Sequence, residues 1–272
     1  MSTPKLSFTT LGCPDWTLDD IAKHAKAYGY DGVELRTAPD GNHISPDAPR
    51  AEAERVGKKL RDAGAPVMSV MGYCRFAFTD PKEVAENQAL MRKLIPLAQA
   101  LGAPYIRTFG GQFPKGADRA AITRTVGEAL KPLAVEAAAA GVKIGMETHD
   151  DWCSGDLVMQ VVRMVNSSAF GMVYDIHNAF HSGIEPWDVT YAKVKDHILY
   201  CHLKDGYRDA GGALHYVMLG AGELPVQDIL ARFKRDGFSS YFSLEWEKKW
   251  HAELDAPERA FPQFPIKLRR LW

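Results

Sequence analysis

The sequence predicts a single (β/α)8 barrel, a TIM barrel of the α/β class, over residues 1–272, with its active site at the C-terminal rim of the strands. Short apolar and β-branched runs alternate eight times with longer helical stretches. Over 272 residues, each strand-helix unit takes about 34 residues. Five helical stretches end in a glycine shortly before the next strand: Gly29, Gly64, Gly102, Gly141 and Gly237.

The eight predicted strands cover residues 6–11, 32–36, 67–71, 105–109, 142–147, 171–175, 198–203 and 241–245. The first helix has the clearest boundaries, because Thr17 and Asp20 have capping-box spacing and Gly29 ends the stretch. Two long irregular stretches, 37–49 and 204–225, follow the second and seventh strands. A barrel places its functional loops at these positions.

A doubly wound open sheet is the alternative fold. It usually has fewer strands, and it often carries a glycine-rich phosphate-binding loop after the first strand. Residues 10–16, TLGCPDW, contain one glycine and match neither GxGxxG nor GxxxxGK. The barrel is therefore the better prediction.

The composition argues against nucleic-acid and membrane partners. The 33 Lys and Arg residues nearly balance the 34 Asp and Glu residues, so no broad basic field is expected. The sequence has no signal-peptide pattern and no run of about 18 uncharged apolar residues, which predicts a cytoplasmic protein. The four cysteines are scattered without a CxxC pair, and we expect reduced thiols.

Four consecutive strands each direct one potential metal ligand into the barrel, because side chains alternate along a strand. In residues 142–147 the even-numbered side chains are apolar and must face the helices, which leaves Glu147 inward at the strand end. The same parity turns Asp175, His202 and Glu245 inward. All four are expected near the same rim.

Three carboxylates at one barrel mouth repel one another strongly unless a cation compensates them. Glu147, Asp175, His202 and Glu245 offer three oxygen ligands and one nitrogen ligand. This set suits one divalent ion, with Mn²⁺ as the first choice and Mg²⁺, Co²⁺ or Zn²⁺ as alternatives. Taken singly, each residue has a second interpretation, as a strand-end or helix cap or as a buried, hydrogen-bonded histidine.

Five motifs, DGVELR, METHD, VYDIHN, CHLKD and SLEWE, occur in this order along the chain. In this the sequence resembles the sugar phosphate isomerase/epimerase superfamily, the xylose isomerase-like group of TIM barrels. That group includes ketose 3-epimerases, hydroxypyruvate isomerase, inosose dehydratase and, more distantly, endonuclease IV. The resemblance spans essentially the whole chain and places the four metal positions on the residues named above.

The resemblance also implies roles. In the ketose epimerases of this group the two metal-bound glutamates, here Glu147 and Glu245, act as acid and base. An arginine six residues after the metal histidine binds substrate, and Arg208 matches it. A substrate-binding histidine lies three residues after the metal aspartate, but here that position is Asn178, with His177 just before it.

The ion and the two glutamates predict proton abstraction next to a carbonyl through an enediolate. Return of the proton to the opposite face gives epimerisation of a sugar or hydroxy-ketone. Return to the neighbouring carbon gives isomerisation. Loss of a β-hydroxyl gives dehydration of a keto-inositol or related polyol. The ligand set does not decide among these outcomes.

Further polar side chains at the rim are predicted to contact substrate: Arg36, Arg107, His149, His177 and Lys204. For the two arginines the alternative is a buried ion pair with Glu34, and for the other three a plain loop position. Three tryptophans in rim loops would suit a sugar or cover the barrel's own apolar rim: Trp16, Trp152 and Trp250.

Two other functional classes stay open. A DNA-repair nuclease would need a larger cluster of His and acidic ligands and a basic face, which the net charge of −1 does not favour. A noncatalytic sugar-binding barrel would bind metal and ligand without exchanging substrate hydrogen. The family likeness also makes a homo-oligomer an expectation, for which the sequence offers no interface.

Overall fold

A computed structural model describes residues 3–38 and 40–272 of the protein, with the backbone alone at 41 and 42. Within these residues eight parallel strands form the barrel, and we number them in chain order: β1 (Lys5–Thr9), β2 (Gly32–Ala38), β3 (Val67–Met71), β4 (Tyr105–Phe109), β5 (Lys143–Glu147), β6 (Phe170–Asp175), β7 (Ile198–Leu203) and β8 (Tyr241–Leu244). Each strand pairs with the next, and β8 pairs with β1 to close the barrel. The predicted fold class is confirmed.

Nine α-helices occur in the described part of the chain: α1 (Leu18–Tyr28), α2 (Arg50–Asp62), α3 (Pro81–Leu101), α4 (Arg119–Ala139), α5 (Gly155–Val165), α6 (Ile176–Ser182), α7 (Trp187–Val194), α8 (Val226–Arg235) and α9 (Pro257–Leu271). Thr17 and Asp20 form the predicted capping box at the start of α1, and Gly29 ends this helix in the left-handed region at φ 79°. Among the described residues no helix has both the length and the hydrophobicity needed to cross a membrane.

The first strand is shorter than predicted. It ends at Thr9, and residues Thr10–Gly12 form a 3₁₀ turn. The turn is fixed because the Thr10 hydroxyl accepts a hydrogen bond from the Arg36 backbone N–H, at 2.9 Å. A Cβ on Gly12 would lie 2.8 Å from the Trp246 side chain, so only glycine fits there.

The core has two parts. The large part lies between the barrel strands and the helices, and a small cluster of Met68, Val173 and Tyr200 fills the barrel interior. Val173 and Tyr200 each precede an inward polar residue by two positions, Asp175 and His202 respectively. Because side chains alternate, this apolar cluster forms the floor beneath the polar residues at the C-terminal rim.

Two rim segments depart from a plain strand-helix repeat. The segment after β6 forms two helices, α6 and α7, and the Asp175 side chain caps α6 by accepting from the Asn178 N–H at 2.8 Å. After β7 the chain forms an antiparallel hairpin, Asp205–Arg208 paired with Leu214–Val217, inside the stretch expected to be irregular. These segments stand at the rim where the inward polar residues lie.

Candidate metal centre and active site

Four buried side chains meet at the C-terminal ends of β5 to β8. One ligand atom from each of Glu147, Asp175, His202 and Glu245 lies within 4.8 Å of all the others. Asp175 and His202 are direct neighbours in the strand register, and Glu245 follows the last residue of β8. The four residues that strand parity predicted to meet at the rim therefore do converge.

The two ring nitrogens of His202 contact different carboxylates. Nδ1 lies 2.8 Å from a Glu147 oxygen and 3.3 Å from a Glu245 oxygen, while Nε2 lies 2.9 Å from Glu34 Oε2. Burial favours the neutral ring, but the carboxylates of Glu245, Glu34 and Glu147 raise the pKa of His202 well above its usual value. Nδ1 is thus the nitrogen that faces the four-residue cluster.

A buried arginine supports Glu147. The Arg107 guanidinium donates to Glu147 Oε2 through Nε and Nη2, and its Nη1 donates to the Gly72 carbonyl oxygen at 3.1 Å. Burial works to raise the pKa of Glu147, but Arg107 and His202 hold it well below its usual value. The ion-pair alternative from the sequence thus describes Arg107, although its partner is Glu147 and not Glu34.

Lys204 is almost fully buried and contacts cluster carboxylates other than that of Glu147. Its Nζ donates to Asp175 at 2.8 Å, to Glu247 at 3.0 Å and to Glu245. Burial opposes ionisation of Glu245, yet Lys204 and His202 lower the pKa of Glu245 to about 2. Burial outweighs Lys204 at Asp175, whose pKa rises to about 7. The solvated-loop alternative for Lys204 is wrong, because this ammonium is an internal part of the cluster.

The donor set fits a divalent cation. Three carboxylates and one imidazole converge in a buried space, and no other such cluster occurs in residues 3–38 and 40–272. Arg107 and Lys204 each place a positive charge beside the carboxylates. The compensation that we expected from a metal ion alone is therefore shared with two side-chain cations.

Arg36 and His149 lie at the edge of the site. The Arg36 guanidinium donates to the Tyr73 hydroxyl at 2.8 Å and to Asp40 at 2.7 Å, and it stacks over the Tyr73 ring. His149 pairs with Asp150 at 3.0 Å and stacks on Phe109. The ends of β2 and β4 and the loops after β3 and β5 thus place cationic and aromatic side chains at the mouth, namely Arg36, Phe109, Tyr73 and His149.

The three rim tryptophans separate into two groups. Trp16 and Trp152 are buried. They cover the apolar rim of the barrel, which was the second of the two roles considered for them. Trp250 is 55% exposed, and its ring lies 5.5 Å from the Arg36 guanidinium carbon. Of these three tryptophans, Trp250 alone presents an aromatic surface that a ligand can reach.

His177 is fully buried in the first turn of α6, and neither ring nitrogen has a hydrogen-bond partner. Its ring packs 4.3 Å from the His181 ring and 5.4 Å from the Tyr216 ring, measured between centroids. Burial and the Lys204 charge lower the pKa of His177 to about 2. It is therefore a neutral imidazole that offers one donor and one acceptor.

Arg208 lies apart from this group. It is an exposed residue of the rim hairpin, and its guanidinium donates to the carbonyl oxygens of Gly212 at 2.9 Å and His181 at 3.2 Å. These bonds hold the side chain between the hairpin turn and the end of α6.

Sequence reasoning assigned no role to Tyr200 or Glu247, and it considered Glu34 only as a possible ion-pair partner of an arginine. Glu247 shares strand parity with Glu245, a signal that could have identified it. Tyr200 shares strand parity with His202, but its hydroxyl bonds to Glu34 Oε1 at 2.6 Å, a contact between strands that are far apart in the chain.

These features place the chain in a known class of barrels. A family model described as a xylose isomerase-like TIM barrel matches residues 22–262. The chain belongs to this family, and the resemblance drawn from the five motifs is confirmed.

Individual relatives are epimerases and related barrels. The chain is 27% identical over 231 residues to the 2-epi-5-epi-valiolone 7-phosphate 2-epimerase of Actinoplanes sp., a match covering 82% of each chain. It is similar to the solved structure of an L-ribulose 3-epimerase, with a TM-score of 0.80, 14% identity and coverage of 99% of this chain and 96% of that one. The IolI protein with a bound zinc atom gives a TM-score of 0.79 at 20% identity, covering 97% of this chain and 96% of that one. At these identities the two structures show a shared fold.

Proposed function

We propose that the protein is a divalent-metal-dependent epimerase or isomerase of a sugar or sugar derivative, working by proton abstraction next to a carbonyl. The observation that carries the proposal is the convergence of Glu147, Asp175, His202 and Glu245 within 4.8 Å in a buried space. Membership of the xylose isomerase-like family and the epimerase names of two relatives support it.

Glu147, Asp175, His202 and Glu245 would hold the cation, with Mn²⁺ as the first candidate. The bound ion would supply the positive charge that stabilises an enediolate formed from the substrate. The IolI structure was solved with zinc, which supports a divalent ion in this family of barrels. The native metal is a question for experiment.

Glu147 and Glu245 are suited to carry the proton. They approach His202 Nδ1 from β5 and β8, on either side of β7. One carboxylate would take the proton from the carbon next to the carbonyl, and the other would return a proton to the opposite face. Arg107 and Lys204 keep the two carboxylates ionised before the reaction, since each lowers the pKa of its partner.

His177 would bind a substrate hydroxyl. A neutral imidazole with one donor and one acceptor matches a hydroxyl group, which can accept and donate at once. Its two unpartnered nitrogens lie in a site where unmet buried polar atoms are costly, so a ligand there would lower the free energy. Arg36, His149, Lys204 and Arg208 are further proposed contacts, Arg208 after release from the Gly212 and His181 carbonyls.

The test is hydrogen exchange at the substrate carbon. Metal-loaded protein is incubated in D₂O with ketoses, their phosphates, hydroxypyruvate and inososes, and deuterium uptake and products are read by NMR. We expect exchange on at least one compound, and a loss of roughly 10²-fold or more in Glu147→Gln and in Glu245→Gln. An aldose product would indicate isomerisation, and loss of water would indicate dehydration. No exchange on any compound would favour a noncatalytic sugar-binding barrel.

A further inference from the structure

Glu34 is a buried carboxylate of β2 that lies outside the four-residue cluster. Its Oε1 accepts from the Tyr200 hydroxyl at 2.6 Å. Its Oε2 accepts from the Ser243 hydroxyl at 3.2 Å and faces His202 Nε2 at 2.9 Å. The Tyr200 hydroxyl also lies 2.9 Å from the Ser69 hydroxyl. Both carboxylate oxygens are thus engaged, and the group is fixed on the barrel floor.

This contact decides which way the His202 ring faces. Both ring nitrogens face carboxylates, but an imidazole that gives one nitrogen to a cation keeps its hydrogen on the other, and the Glu34 carboxylate is placed to accept that hydrogen from Nε2. The opposite nitrogen, Nδ1, is then the one directed at Glu147 and Glu245. A ring turned over would place its carbon atoms against these carboxylates and lose the contact with Glu34.

We propose that Glu34 is a positioning residue, which holds the His202 ring so that Nδ1 is the nitrogen presented to the divalent cation. The inference rests on the metal site of the proposed function and assigns a role to a residue outside its ligand set. Partners that hold a metal-binding histidine by its second nitrogen typically contribute 10- to 100-fold to metal affinity.

A purely structural role predicts something different. If Glu34 served only to satisfy buried groups, replacing Glu34 and replacing Tyr200 would change the metal affinity to the same extent, since both contacts belong to the same carboxylate. If Glu34 positions His202, only changes that break its contact with Nε2 will weaken the metal site. Tyr200→Phe is therefore the matched control, because it removes a buried hydrogen bond to Glu34 and leaves the contact with His202 in place.

The experiment compares wild type, Glu34→Gln and Tyr200→Phe, each checked for folding by circular dichroism. Affinities for Mn²⁺ and Zn²⁺ are measured by competition calorimetry. In Glu34→Gln a single amide oxygen is left to accept hydrogen bonds from both Tyr200 and His202. We expect the affinity of this variant for the two cations to fall by roughly 10- to 100-fold. Tyr200→Phe should stay within about threefold of wild type, a change below 1 kcal/mol.

A spectroscopic measurement reports the ligating nitrogen directly. In ¹¹³Cd²⁺-loaded protein labelled with ¹⁵N-histidine, the His202 signals are assigned by their absence in His202→Gln. We expect ¹¹³Cd coupling at Nδ1 and a retained hydrogen on Nε2. This measurement needs no Glu34 variant, so it identifies the ligating nitrogen even where Glu34→Gln fails to fold.

Three results would overturn this inference alone: coupling at Nε2, unchanged affinity in Glu34→Gln, or an equal loss in Tyr200→Phe. A wild-type protein that takes up no cation would overturn the proposed metal site, and this inference with it. The two failures are therefore distinguishable.

Discussion

Arg107 and Lys204 each place a positive charge beside one of the glutamates that we assign to proton transfer. Both cations are buried, so neither pair is screened by water, and removing one partner leaves a charge without compensation. The site is therefore stabilised as a charge network even before a cation binds. At the residue scale, replacing one of these two cations therefore tests the stability of the site while both glutamates assigned to proton transfer stay in place.

The first prediction concerns Arg107→Met. Removing the guanidinium breaks the buried ion pair and takes from the Glu147 carboxylate one of its two close positive partners, Arg107 and His202, so the free energy of unfolding should fall by about 3–5 kcal/mol. The measurement is urea unfolding in the presence of a chelator, which keeps metal binding out of the comparison.

Arg92→Met is the matched control, because Arg92 also pairs with a glutamate, Glu136, but their side chains are 45% and 40% exposed. That exposed pair should contribute about 0–1 kcal/mol. Equal losses in the two variants would contradict the assignment of a buried network around Glu147.

The second prediction separates binding from folding at His177. Replacing it by leucine removes two buried polar atoms that have no partner, so stability should rise by about 1 kcal/mol. If His177 binds a substrate hydroxyl, kcat/KM should fall by roughly tenfold. Thermal unfolding and steady-state kinetics check the two effects.

His197→Leu is the control for this pair of measurements. His197 is exposed and stands just before β7, at the opposite end of the barrel from the site, so neither quantity should change. A destabilised His177→Leu variant with normal kcat/KM would show that His177 is a core residue only.

At the scale of elements, one side chain fixes the segment between β7 and α8. Asp205 is buried and accepts hydrogen bonds from the backbone N–H groups of Gly206, Gly220, Gly222 and Leu224, at 2.7–3.2 Å. A Cβ on Gly222 would lie 2.3 Å from Asp205 Oδ1, which shows how closely the loop is drawn onto this carboxylate. The hairpin that carries Arg208 and Tyr216 therefore depends on Asp205.

The third prediction follows from this arrangement. Asp205→Ala should loosen residues 206–224 while the barrel stays folded, because the loop amides lose their common acceptor. Arg208 is the only Lys or Arg in that segment of the sequence, so limited trypsin digestion should cut after residue 208. Mass spectrometry of fragments 1–208 and 209–272 would report the cleavage.

Asp196→Ala, an exposed change at the far end of the barrel, should leave the Arg208 bond resistant. Cleavage at equal rates in both variants would mean that Asp205 does not organise the loop.

The elements differ in how far the sequence predicts them. Three barrel strands were placed to the residue, at 67–71, 105–109 and 198–203, because strand periodicity is a local signal. The rim hairpin was expected only as an irregular stretch, since its shape depends on Asp205 reaching amides up to 19 residues away.

The same distinction holds within the site. Parity located Glu147, Asp175, His202 and Glu245, because it needs only the alternation along each strand. Parity does not give the rotation of a ring, so the contact between His202 and Glu34, 168 residues apart, was not predicted. Nor did it pair Arg107 with Glu147, which depends on the stagger between β4 and β5.

For the whole molecule, the barrel brings buried charges from strands β4 to β8 to one end of a chain whose net charge is only −1. The electrostatics of the protein is thus local, and we expect a small ligand to be recognised at that end. Single-domain organisation, cytoplasmic location and homo-oligomer formation stay predictions. Binding of a cation at the rim should also be measurable as a change in the stability of the whole fold.

The last prediction is that divalent metal stabilises the protein in a pH-dependent way. At a free concentration of 100 times Kd, binding adds about 2.7 kcal/mol to the free energy of unfolding, a rise in Tm of roughly 5 °C.

The pH dependence follows from two of the ligands. Binding requires an ionised Asp175, whose pKa is about 7, and a neutral His202 ring, whose pKa is raised. Protons therefore compete with the cation as pH falls through about 7, so affinity should rise with pH and loading should release protons. Calorimetry in two buffers of different ionisation enthalpy counts them, and Asp175→Asn should lose both the stabilisation and part of the pH dependence. A Tm shift equal at about pH 6 and pH 8, without proton release, would show that the cation binds elsewhere.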